Sequence, residues 1–114
     1  EPVLMMTWAY KDKPEMVDQL SEEYTSAGNK NGILVLPVGL AYRNSMEKYP
    51  EIDLYHTDKR HPSKAGTYLS ACVMFTSIFK TSPVGNPYIF DLDSDIALKL
   101  QRIAWLTYKQ YYED

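Results

Sequence analysis

Val3-Leu4-Met5-Met6-Thr7-Trp8 is a run of apolar and β-prone residues without strict alternation, the pattern of a strand buried on both faces. It reads as a central strand of a parallel sheet. After the polar stretch Tyr10 to Lys13, Pro14 opens a segment in which Met16, Val17, Leu20, Tyr24 and Ala27 recur with a period near 3.6, and Gly28 supplies a stop. Asn29 to Gly32 are turn residues, and Ile33-Leu34-Val35-Leu36 forms a second fully apolar strand that ends at Pro37. Strand, amphipathic helix, strand is the order of a parallel βαβ unit. A parallel sheet needs both faces covered, and two strands alone are marginal in water, so further strands are expected outside these 114 residues. The chain also starts at Glu1 without an initiator Met and enters the apolar run at once. That start suits a cut made inside a larger protein.

Beyond this unit, Leu40 to Tyr49 make a short helix stopped near Pro50, and Glu51 to Pro62 form a polar loop that holds both histidines. Ser63 is placed to cap the next helix, whose apolar residues (Ala65, Leu69, Cys72, Val73, Phe75 and Phe79 among them) lie nearly all round it, so burial of the whole helix is expected. Two prolines, a glycine and an asparagine between Thr81 and Pro87 break the pattern. A last helix follows, capped by Asp93 or Ser94, with Ile96, Leu100, Ile103, Ala104, Thr107 and Tyr111 on its buried face. No internal repeat, linker or low-complexity segment is visible.

Composition narrows the function classes. Apolar residues make up 45% and charged residues 24%, ordinary for a globular chain with one modest core. The 12 basic and 15 acidic residues give a net charge of -3, and the Lys and Arg are scattered rather than gathered on one face or run, which argues against nucleic acid as a partner. No apolar stretch approaches the roughly 20 residues of a membrane span, so a soluble form is expected. The single cysteine, Cys72, cannot form an internal disulfide, and the compartment, cytoplasmic or exported, stays open. Cys72 lies in a helix without a basic neighbour to activate it and reads as a small core residue. The tail tyrosines Tyr108, Tyr111 and Tyr112 read as packing or snorkelling residues.

The chemistry-bearing stretch is Tyr55-His56-Thr57-Asp58-Lys59-Arg60-His61-Pro62-Ser63. Asp58 precedes His61 by three residues in a turn, close enough for the side chains to meet. An imidazole that takes a proton from an alcohol nucleophile needs its other nitrogen held by an acceptor, and Asp58 can fill that place. The spacing alone is common in solvated loops. His56, Asp58 and His61 also have the residue types of a divalent metal site, but no fourth ligand sits at a telling spacing, so no metal and no cofactor is expected. Trp8 ends a strand, where binding crevices form, and is either a pocket wall or core packing. Arg60 either meets an anionic substrate group or faces water.

Asp58-x-x-His61-Pro62-Ser63 followed by Gly66-Thr67-Tyr68-Leu69-Ser70-Ala71-Cys72 resembles the last motif block of SGNH (GDSL-like) hydrolases. Met6-Thr7-Trp8-Ala9, Leu36-Pro37-Val38-Gly39-Leu40-Ala41-Tyr42, Ser82-Pro83-Val84-Gly85 and Leu100-Gln101-Arg102-Ile103-Ala104 resemble segments of one bacterial branch of that family, in the same order. The resemblance implies a flavodoxin-like three-layer α/β fold of which residues 1–114 are the C-terminal part. It implies hydrolysis of an ester, often an acyl or acetyl group on a carbohydrate, with His61 as base and Asp58 as its partner. The family's Gly-Asp-Ser block, oxyanion-hole glycine and Gly-x-Asn-Asp block have no counterpart here. Ser94 follows Asp93, but Leu92 stands where the glycine belongs, and Ser45 has no glycine elbow around it. The chain alone is therefore expected to be inactive, with a companion chain or a preceding half supplying the nucleophile. A non-catalytic binding or interaction module of SGNH-like shape is the alternative.

Overall fold

A computed structural model describes residues 2–113; Glu1, where the chain starts, and Asp114 lie outside the described residues. The order of elements is β1 (Val3–Met5), α1 (Met16–Asn31), β2 (Leu34–Leu36), α2 (Val38–Lys48), α3 (Lys64–Phe79) and α4 (Ser94–Tyr112). β1 and β2 pair in parallel with Val3 opposite Leu34 and Met5 opposite Leu36, so the expected βαβ unit is present. The architecture is mixed α/β and rich in helix.

β1 differs from the expected buried central strand. Among the described residues the sheet has two strands, so nothing pairs with the outer edge of β1, and Val3 and Met5 are exposed. The ladder stops at Met5, and the chain stays beside its neighbour through Met6, which donates to the Leu36 carbonyl at 2.9 Å and accepts from the Gly39 amide at 3.0 Å. Met6 is fully buried.

α1 runs past Gly28 and ends at Gly32, whose φ of 65° is left-handed and whose amide donates to the Gly28 carbonyl. Gly28 instead lies in the helix where it meets Val35, so close that a Cβ there would collide with the valine side chain. α2 begins at Val38, immediately after Pro37, two residues earlier than the sequence suggests. α4 is capped by Asp93, whose carboxylate accepts from the amides of Asp95 at 3.0 Å and Ile96 at 3.3 Å.

The core joins Leu36, Tyr42, Leu54, Leu69, Val73, Leu100 and Ile103 between α2, α3 and α4. α3 is buried on one side only: Leu69, Cys72, Val73 and Thr76 face inward, whereas Met74, Ile78 and Phe79 are exposed. The expectation of a helix buried all round is thus corrected. The C-terminal tyrosines tie α4 to the βαβ unit. The Tyr111 hydroxyl lies 2.6 Å from Thr25 Oγ1, and the Tyr112 hydroxyl donates to the Val35 carbonyl. Among the described residues no helix is long and apolar enough to cross a membrane.

Candidate active site

The segment between α2 and α3 is less polar than expected. Ile52, Leu54 and Tyr55 are buried while Glu51 and Asp53 point outward, so three side chains anchor the loop to the core before the histidines are reached. Beyond it the chain doubles back: His56 donates its amide to the His61 carbonyl at 2.8 Å, Lys59 donates to the His56 carbonyl at 3.0 Å, and Tyr55 bridges Pro62 in antiparallel fashion. Lys59 takes a left-handed φ of 63° to make the turn.

Asp58 organises this turn with both oxygens. Oδ1 accepts from the amides of Arg60 and His61, each at 3.0 Å, and Oδ2 lies 2.5 Å from His61 Nδ1. The bond to the His61 side chain, and then the two amide bonds, hold the Asp58 carboxyl well below the usual carboxylate range. Ser63 ends the loop: its hydroxyl accepts from the Gly66 amide at 3.2 Å and donates to the Asp53 carbonyl at 2.8 Å, capping α3 as expected. The close passage of α3 under the loop requires glycine at position 66. A Cβ there would collide with the Leu54 carbonyl oxygen and lie 2.7 Å from the Tyr42 hydroxyl.

The His61 side chain is 78% exposed. With Nδ1 turned to a carboxylate, an imidazole carries its proton there and presents Nε2 as a free acceptor, the state in which it can take a proton from an alcohol. Asp58 and His61 are therefore in contact, with the other edge of the imidazole open to solvent.

Trp8 and Arg60 both meet this loop. The indole Nε1–H donates to the Arg60 carbonyl at 2.7 Å. The ring stacks on Tyr42 with centroids 5.0 Å apart, and Tyr42 meets Tyr55 edge-on at 5.8 Å. The Tyr55 hydroxyl returns to the Ala9 carbonyl at 2.6 Å, and burial pushes the hydroxyls of Tyr42 and Tyr55 up to about 12. The Arg60 guanidinium lies over the Tyr10 ring at 4.7 Å. Tyr10, Tyr42, Tyr55 and Gly66 are the supporting residues that sequence reasoning missed. The alternation of Ile52 and Leu54 hinted at an anchored loop, but no local pattern connects Tyr42 to Trp8.

His56 is exposed beside the turn, and among the described residues no group of three or more His, Cys, Asp or Glu side chains is placed to hold a metal ion. Cys72 is buried, with its thiol pushed up to about 11 by desolvation, and takes no part in the loop. A cavity of about 370 Å³, lined by Lys11, Met46, Ile52, Asp53 and Tyr55 among others, adjoins the loop. A cleft of about 540 Å³ between α1 and α2 carries Asp18, Glu22 and Arg43 and includes none of the dyad.

The fold has a counterpart among solved structures. The chain is similar to a crystal structure of a DUF4886 family protein from Bacteroides uniformis, with 25% sequence identity and a TM-score of 0.80. The match takes in 100% of this chain and 50% of that one, so the chain spans half the length of the protein it resembles. No family model and no curated protein matches the sequence.

Proposed function

We propose that this chain is the C-terminal part of an SGNH-type serine ester hydrolase with a flavodoxin-like sheet, in which His61 is the general base and Asp58 its orienting partner. The observation that carries this reading is the 2.5 Å contact between Asp58 Oδ2 and His61 Nδ1 on an imidazole that is otherwise 78% exposed. The ordered motif resemblance along the chain and a structural neighbour twice as long support it. The nucleophilic serine and the oxyanion donors belong to the remainder of the domain.

The chemistry follows from the free Nε2. The serine hydroxyl gives its proton to Nε2 as its oxygen attacks the ester carbonyl. The resulting imidazolium is stabilised by the Asp58 carboxylate, which stays ionised. As the tetrahedral intermediate collapses, His61 returns the proton to the departing alcohol, leaving an acyl-serine. Water then repeats the sequence, with His61 first accepting its proton and then giving it back to the serine as the acid leaves. A short acyl or acetyl ester on a carbohydrate is the proposed substrate class. Without the nucleophile such a triad loses on the order of a million-fold in turnover, so these residues alone are inactive.

The test uses the full-length protein, a serine-directed fluorophosphonate and p-nitrophenyl acetate. Labelling of one serine and hydrolysis that falls at least about a thousandfold in His61→Ala are the expected results. Unchanged turnover in that variant removes His61 from the mechanism. Glycan binding with neither labelling nor hydrolysis favours a binding module of the same shape.

A further inference from the structure

We propose that Trp8 is a positioning residue for His61, acting through the peptide bond that joins Arg60 to His61; the inference rests on the reading of His61 as the base. That one peptide unit is gripped at both ends. Its carbonyl, from Arg60, accepts the indole N–H of Trp8 at 2.7 Å, and its amide, from His61, donates to Asp58 Oδ1 at 3.0 Å. On the other side of His61, its own carbonyl accepts from the His56 amide at 2.8 Å.

Such restraint matters because the imidazole has little else to hold it. A side chain 78% exposed has few packing neighbours, so its direction is set by the backbone that carries it and by the one carboxylate it touches. If the Arg60–His61 peptide rotates, the Cα–Cβ bond of His61 swings with it. Asp58 belongs to the same turn and moves with the peptide, so it cannot by itself fix the turn relative to the rest of the fold. Trp8 can, since it lies 52 positions away in sequence on the extension of β1. Its ring is clamped against Tyr42, which is fully buried. The Lys11 amide, which donates to the Lys59 carbonyl at 3.0 Å, adds a second tie from the same segment.

The experiment compares Trp8→Phe and Trp8→3-benzothienylalanine with wild type in the full-length protein. The second variant keeps the ring shape and replaces only the N–H, so it preserves the stack on Tyr42 where phenylalanine shortens it. Ring ¹⁵N shifts of His61, measured above neutral pH, report its tautomer and the Nδ1 bond without any need for activity. Both variants are expected to lose the pure Nδ1–H tautomer for the mixture of a free imidazole. Turnover of p-nitrophenyl acetate is expected to fall about ten- to a hundredfold at a KM within about twofold of wild type. A benzothienyl variant that keeps the tautomer overturns the proposal whatever its turnover, as does one that raises KM at constant kcat, which would make Trp8 a substrate contact. If wild type hydrolyses no ester yet its tautomer depends on Trp8, the esterase reading fails and the positioning stands.

Discussion

The two oxygens of Asp58 have different partners, and the difference has a pH signature. Oδ1 closes the turn through two amides, while Oδ2 meets His61. All three bonds favour the ionised carboxyl and lower its value from the ordinary 3.8. A carboxyl depressed in the folded state contributes stability that is present above its unfolded value and is lost as the pH falls towards the folded one. We therefore expect the stability gap between wild type and Asp58→Asn to be present at about pH 5 and to shrink below about pH 4, as read from urea unfolding at each pH. A gap that persists undiminished to pH 2 would show that the carboxylate charge is not what holds the turn. The pair itself was legible, because the partners lie three residues apart and local geometry brings them together. The bond from Trp8 was not: its acceptor is a backbone carbonyl 52 residues away, and sequence carries no mark of which carbonyl a distant donor will reach.

Elements were legible in kind and less so at their ends. Two glycines four residues apart, Gly28 and Gly32, both satisfy the signal for a helix stop. Contact with Val35 keeps the first inside α1, and the left-handed turn falls at the second. The loop before α3 read as polar because Glu51 and Asp53 interrupt Ile52 and Leu54, although that alternation marks a chain with one side buried. α3 shows how strongly packing can overrule propensity at one position. An alanine in a helix interior normally gains about 1 kcal/mol over glycine, but at position 66 the added methyl meets the Leu54 carbonyl and the Tyr42 hydroxyl, and overpacking of this kind costs about 1–3 kcal/mol. Gly66→Ala is expected to lower the urea midpoint and, by pushing Leu54 away, to loosen the loop that carries the dyad. A raised midpoint would mean that the loop yields freely and that α3 does not fix its height.

At the scale of the whole molecule, the exposed apolar residues are the feature that the described residues do not account for. Val3 and Met5 stand on β1, whose outer edge has no partner strand among the described residues, and Met74, Ile78 and Phe79 lie on the open side of α3. Single exposed apolar side chains are ordinary on a protein surface, but here they accompany a parallel sheet of two strands, which seldom stands without cover. The proposed domain resolves this: further parallel strands beside β1 would extend the sheet and bring the open side of α3 against it. The matched protein has room for them, since this chain takes in 50% of it. Ile78 provides the test. It is 46% exposed in the described residues, and a charged substitution at a surface site usually changes stability by no more than about 0.5 kcal/mol. If the remaining strands cover it in the full-length protein, Ile78→Lys places an unpaired charge against apolar neighbours and should cost about 2 kcal/mol or more, measured by chemical unfolding of that protein. A cost within the surface range would leave α3 facing water in the complete molecule, and the sheet would then have to find its cover elsewhere.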